Sequence, residues 1–161
     1  MLPAVIAAFS VAVAAVAAEV FPAADAGSPY RIFCGDDRTA YRDPAALYAD
    51  GKIHLFFTLV ETEPDGLVHS YVATSRSSDL LTWSAPRKLT PRSDRDYSSP
   101  GNVVRDGDEW VLCFQSYPRP GNRDDGKVRY GDETARLYTM RSRDLVKWSD
   151  PELLRVKGPE V

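Results

Sequence analysis

The 161-residue sequence predicts an all-β protein built from two tandem units of four antiparallel strands, the pattern of β-propeller blades. Three observations predict it. Asp-Gly pairs separate apolar runs at Asp50-Gly51 and Asp106-Gly107, 56 residues apart. A second motif, Ser-x-Asp-Leu-x-x-Trp-Ser-x-Pro, occurs at Ser77 to Pro86 and again at Ser142 to Pro151, 65 residues apart. After the first 27 residues no helical period of useful length is found.

The first element is not part of the fold. Leu2 to Ala18 is an unbroken small and apolar run followed by Glu19, and Val16-Ala17-Ala18 suits a cleavage site. Residues 1–18 therefore read as a secretory signal peptide, with only the amino terminus supplying positive charge. The competing reading is an uncleaved anchor, and a run of 17 residues is at the short edge for spanning a bilayer. Export makes a secreted or periplasmic protein the expectation, with no membrane contact after cleavage. Residues 19–40 read as a leader into the first strand.

Blade one spans about residues 41–97. "YRDPAALYA" and "KIHLFF" flank Asp50-Gly51, and Asp-Gly between apolar runs is a strong hairpin signal because glycine tolerates positive φ. "HSYVATSRS" alternates as a third strand, facing inward either with Tyr71 and Ala73 or with Val72 and Thr74. "SSDLLTWSAPRKL" closes the unit. Blade two spans about residues 98–156 and repeats the plan in "SPGNVVRDGDEWVLCF", "ARLYTMRS" and "SRDLVKWSDPELL". Its nine extra residues fall in "PRPGNRDDGKVRYGDE", a polar loop rich in Gly and Pro. Asp79 and Asp144 have identical settings in the two copies, so each is expected to cap a turn, with Trp83 and Trp148 packed between strands. A flat repeat cannot bury both faces alone, and propellers close with about 4–8 blades. Two units therefore read as part of a longer propeller.

Net charge is −3, sequence pI is about 5.4, and acidic and basic residues are interspersed. With no basic run, no nucleic-acid partner is expected. Export permits a Cys34–Cys113 disulfide, but spacing cannot establish one. Cys113 in "WVLCFQ" reads rather as a small buried hydrophobe. His54 and His69 make no metal-ligand spacing, so no metal site is expected.

The triplet Arg42-Asp43-Pro44 sits directly before a strand-like apolar run. A turn aspartate bonding backbone amides explains it, and so does a carboxylate held at a strand mouth.

"YRDPAALYADGKIHLFFT", "SRSSDLLTWSAPRKLTP", "YSSPGNVVRDGDEWVLCFQSYP" and "RSRDLVKWSDPELL" resemble the first two blades of family 43 glycoside hydrolases. Those enzymes belong to a five-bladed propeller superfamily shared with invertases and levansucrases. The resemblance covers about Tyr41 to Val161, two of an expected five blades. It implies hydrolysis of arabinose- or xylose-type glycans, a carbohydrate as partner, no required cofactor, and tolerance of a central structural ion. It places the general base at Asp43, which would take a proton from water, with Arg42 beside it to keep the carboxylate ionised. An inverting enzyme holds acid and base about 6.5–9.5 Å apart, a gap that different blades can supply.

Blade two departs from the pattern. Gly101 stands where the family has a second Asp, and Asn102, Ser98 and Ser99 are the polar side chains nearby. For the acid, "KGPEV" offers Glu160, whereas the family's Glu precedes the Gly-Pro pair and Lys157 fills that place here. Arg42, Ser99, Asn102, Gln115 and Tyr117 are the candidate substrate-binding residues, the last two because "FQSYPRP" leads into the long loop. Tyr41, Phe57 and Trp110 are further aromatic candidates with a core role as the competing reading. An invertase-like mapping would make Asp43 a transition-state stabiliser, but no Asn-Asp-Pro precedes it to supply the nucleophile. A propeller that binds glycan without cutting it is the remaining alternative.

Overall fold

The computed structural model describes residues 20–22 (backbone only), 31–93, 97–119, 121–123, 125 and 135–155. The signal segment and Glu160 lie outside them. The strands are β1 (Val20–Pro22), β2 (Thr39–Ala49), β3 (Lys52–Thr62), β4 (Val68–Ser77), β5 (Thr82–Ser84), β6 (Arg87–Lys88), β7 (Tyr97–Asp106), β8 (Glu109–Tyr117), β9 (Arg136–Ser142) and β10 (Glu152–Leu153). Among the described residues no helix is long and apolar enough to cross a membrane.

The chain is all-β, a partial propeller of two blades. Antiparallel pairing runs β2–β3–β4–β6 in blade one and β7–β8–β9–β10 in blade two. A single parallel bridge, Ser70 with Tyr97, joins β4 to β7. The fourth strand of each blade is only two residues long. Within the leader, β1 pairs with β5 in register Phe21 with Trp83.

The first hairpin turns where expected: Asp50 (φ 51°) and Gly51 (φ 72°) are both left-handed, as a two-residue turn between twisted strands requires. The second does not. Asp106 pairs with Glu109 in the ladder, and the turn residues are Gly107 (φ 61°) and Asp108. The glycine takes the positive φ, so the loop slips one residue from the copy in blade one. A one-residue slip exchanges the two faces of a strand. The β-bulge is displaced with it, from between Arg42 and Ala45 in β2 to between Pro100 and Val103 in β7.

Two apolar layers hold the blades. Between them, Phe56, Val72 and Ala49 of blade one pack with Leu112, Phe114, Met140 and Leu145 of blade two. Trp148 meets Phe56 edge-on across this layer at 5.6 Å between ring centres. On the other face of blade one, Leu55, Phe57, Leu59, Tyr71, Ala73 and Trp83 form a second layer, covered by Ile32 and Phe33. Strand β4 is thus buried on both faces, so Tyr71 and Ala73 serve one layer and Val72 the other. Each fully buried large side chain contributes about 1.5–3 kcal/mol.

The repeated Ser-x-Asp-Leu motif builds the same turn twice. Asp79 Oδ1 accepts the backbone N–H groups of Leu81 (2.9 Å) and Thr82 (2.8 Å), and Asp144 Oδ1 those of Val146 (2.8 Å) and Lys147 (2.7 Å). Ser84 Oγ accepts the N–H of Arg76 at 3.1 Å, as Ser149 Oγ accepts that of Arg141 at 3.0 Å. Leu80 (φ 63°) and Leu145 (φ 57°) are left-handed at the same step. Trp83 is buried, whereas Trp148 is half-buried.

Candidate active site

The leading strands β2 and β7 lie side by side, and the candidate site forms where they meet. Asp43 occupies the bulge of β2 at φ 53°, a conformation that aspartate tolerates better than most residues. The residue is exposed. Its Oδ2 accepts a hydrogen bond from Thr58 Oγ1 at 2.9 Å and from Ser99 Oγ at 3.3 Å. The Thr58 and Ser99 hydroxyls stand 2.9 Å apart, closing a triangle. Thr58 and Ser99 are buried, so one carboxylate oxygen is moored to both blades. Among the described residues no hydrogen bond engages Oδ1, which leaves that oxygen for water or substrate.

Beside it lies an aromatic and cationic cluster. Tyr97 and Tyr117 are paired across β7 and β8 and stack at 4.5 Å. The Arg119 guanidinium lies over both rings, 4.5 Å from the centre of Tyr97 and 5.1 Å from that of Tyr117, and donates to the Tyr117 hydroxyl at 2.8 Å. Arg42 lies over Tyr97 at 5.8 Å. Among the described residues no ion pair joins Arg42 to Asp43. Burial pushes the Tyr117 phenol up from its ordinary value, with Arg119 opposing that shift.

The structure therefore brings together Asp43, Ser99, Arg42 and Tyr117 of the expected site. Gln115 is exposed opposite Ser99 in the ladder, and Asn102 is exposed in the β7 bulge; among the described residues neither is hydrogen-bonded to Asp43. Tyr41 and Phe57 belong to the apolar layer with Phe33, and Trp110 packs on the inter-blade layer beneath Arg105. Thr58, Tyr97 and Arg119 were not singled out by sequence. Thr58 lies inside the apolar run Ile53 to Val60, which reads as plain core, and only the strand register sets it opposite Arg42.

At Gly101 a Cβ would lie 3.0 Å from the Cys113 carbonyl oxygen, so backbone crowds the place where the resemblance expects Asp. Cys34 is exposed and Cys113 half-buried, and both are free thiols, so the bridge weighed between them does not form. His54 is buried in β3, and burial holds its imidazole below the ordinary value. Among the described residues no cluster of three or more His, Cys, Asp or Glu could hold a metal.

No protein-family model and no curated protein matches the sequence. Solved structures similar to part of the chain include three at low TM-scores. A protein from Parabacteroides distasonis named as a glycoside hydrolase has 16% identity and a TM-score of 0.46, covering 69% of this chain and 32% of its own. A member of the GH130 family of mannoside phosphorylases, which contains glycoside hydrolases that target β-1,2 mannosidic linkages in Candida mannan, has 17% identity and a TM-score of 0.48, covering 71% and 31%. A protein from Bacteroides thetaiotaomicron named as a glycosidase has 17% identity and a TM-score of 0.44, covering 69% and 32%. The chain spans about a third of the length of each of these proteins.

Proposed function

We propose that this chain forms the base-bearing blades of an exported glycoside hydrolase of the family 43 type, acting on arabinose- or xylose-type glycans. The observation that carries it is the Asp43 carboxylate, fixed through Oδ2 to Thr58 and Ser99, with Oδ1 unbonded among the described residues, at a left-handed bulge where two blades converge. Non-glycine residues held at positive φ concentrate at functional sites. In this role Asp43 takes a proton from the attacking water, and the acid comes from a further blade or from Glu160. Arg42 and Tyr117 flank the sugar. Residues 1–18 direct the protein to the periplasm or outside the cell.

The experiment is hydrolysis of aryl arabinofuranosides and xylosides by a propeller containing these blades. Asp43→Asn is expected to lower kcat by about 10²–10⁴-fold, the usual worth of a general base. With the acid on a further blade, the 161-residue chain alone is expected to show no turnover, since Asp43 by itself cannot supply both proton transfers; turnover by this chain would assign the acid to Glu160.

A second reading is a propeller that binds glycan without cleaving it. It is favoured by Gly101 and by Ser99, which places a hydroxyl where blade one has a carboxylate. Sugar binding without turnover by a propeller containing these blades, unchanged in Asp43→Asn, would select it.

A further inference from the structure

The loop that lengthens blade two crosses onto blade one. The Val68 N–H donates to the Asn122 carbonyl at 2.8 Å, Asn122 Nδ2 donates to the Val68 carbonyl at 3.2 Å, and Arg123 Nη1 donates to the Asp65 carbonyl at 3.1 Å. Asn122 and Arg123 thereby line a cleft of about 260 Å³ together with the residues that lead into β2. That volume is just under the usual range for small-ligand sites, about 300–1,000 Å³, and suits a single sugar ring. The cleft lies on the Asp43 side of blade one. Val60, which lines it, is two residues from Thr58 in β3, so the two side chains share a face, about 6–7 Å apart along the strand. Thr58 is the residue that holds Asp43.

The lining suits a neutral, hydroxyl-rich ligand. Asp36 and Asp37 are balanced by Arg38 and Arg123, so neither sign of charge dominates. Ala40, Val60 and Val68 add apolar surface of the kind that the C–H face of a sugar covers. The Asp36 carboxylate is engaged by the backbone N–H of Arg38 at 2.8 Å. Asp37 is exposed, and among the described residues no hydrogen bond engages its carboxylate. We infer that this cleft is a second sugar subsite, built by the blade-two loop against blade one, so that the chain recognises an oligosaccharide running from Asp43 towards Asp37 and Asn122. The inference rests on the glycoside reading above and goes beyond it by setting the length and direction of the bound glycan. Because ligand and lining are each close to neutral, binding here changes little with ionic strength.

The test is titration of the isotope-labelled 161-residue chain with arabinose, xylose and their linear trisaccharides, followed by calorimetry and by amide chemical shifts. The trisaccharide of at least one series is expected to bind about tenfold or more tightly than its monosaccharide, at low and high salt alike, and to shift the amides of Ala40, Val68 and Asn122. Asp37→Ala is expected to remove most of that margin with Tm unchanged, and Asp37→Asn to restore part of it. Equal binding of monosaccharide and trisaccharide in both series, no binding of any, a margin unchanged in Asp37→Ala, or shifts confined to the surroundings of Asp43 overturns the inference. Asp43→Asn separates it from the reading beneath it. An Asp37-dependent margin, with hydrolysis by a propeller containing these blades insensitive to Asp43→Asn, sinks the base role and leaves the subsite standing. Asp43-dependent hydrolysis of aryl glycosides with no trisaccharide margin does the reverse.

Discussion

The Asp43 carboxylate and the Ser99 hydroxyl meet at 3.3 Å although they lie 56 positions apart, the same spacing that relates the leading strands of the two blades. Equivalent positions of two repeats therefore touch, one as an acid and the other as a hydroxyl. The blades are joined at this point by polar contact as well as by the apolar layer between them.

Asp43 trades stability for its position. A left-handed non-glycine residue costs about 1–2 kcal/mol. Asp43→Gly relieves that strain but takes the acceptor from two buried hydroxyls, at a cost of about 1–3 kcal/mol, so the two effects are expected to leave thermal stability close to that of the parent, while the proposed hydrolysis by a propeller containing these blades is lost. A large fall in Tm for this variant would show that the carboxylate chiefly holds the blades together.

Thr58 is the buried member of the hydroxyl triangle. Thr58→Val keeps the shape and removes the donor. It is expected to destabilise by about 1–3 kcal/mol in denaturant unfolding, because Ser99 is left buried with a poorer partner.

The two left-handed leucines separate backbone strain from burial. Leu80 is 56% exposed and Leu145 is 3% exposed. Leu80→Gly should stabilise by about 0.5–1 kcal/mol, since relief of strain exceeds the added chain entropy. Leu145→Gly should destabilise by about 2–4 kcal/mol, since loss of the buried side chain exceeds the same relief. Equilibrium unfolding of the pair checks both signs.

Restoring the missing acid by Gly101→Asp is expected to fail. The new Cβ would press on the Cys113 carbonyl oxygen at 3.0 Å, and forcing it in costs about 1–3 kcal/mol through strand displacement. Gly101→Ala, which carries the same Cβ without the charge, should show a similar loss in denaturant unfolding.

Acid unfolding should report the repeated turns. Backbone N–H groups hold the Asp79 and Asp144 carboxyls below the ordinary aspartate value. The folded-state pKa then lies under the unfolded one, so this stabilisation is full above about pH 4 and is lost as pH falls through the depressed values. In Asp79→Asn/Asp144→Asn the slope of stability against pH below about pH 4 should flatten.

The blade architecture was legible in the chain because it is local. Alternation, the Asp-Gly pair and the doubled Ser-x-Asp-Leu turn each act within a few residues, so β2, β3, β4, β8 and β9 and the capping roles of Asp79 and Asp144 follow from neighbours in sequence. Asp43 was legible as a candidate from the same proximity to Pro44. The slipped second turn was not, because Asp106-Gly107 and Gly107-Asp108 differ only in which residue stays in the ladder, and pairing with Glu109 decides that. Nor were Thr58, Tyr97 and Arg119. Each gains its place from a partner 15 or more residues away or from stacking across strands, and packing of one blade on the other sets those distances. Sequence alone determined two four-stranded blades and a carboxylate at the mouth of the first. Only the tertiary structure decided what surrounds that carboxylate, because contact between blades is fixed by burial of Phe56, Val72, Leu112 and Phe114 and not by any motif along the chain.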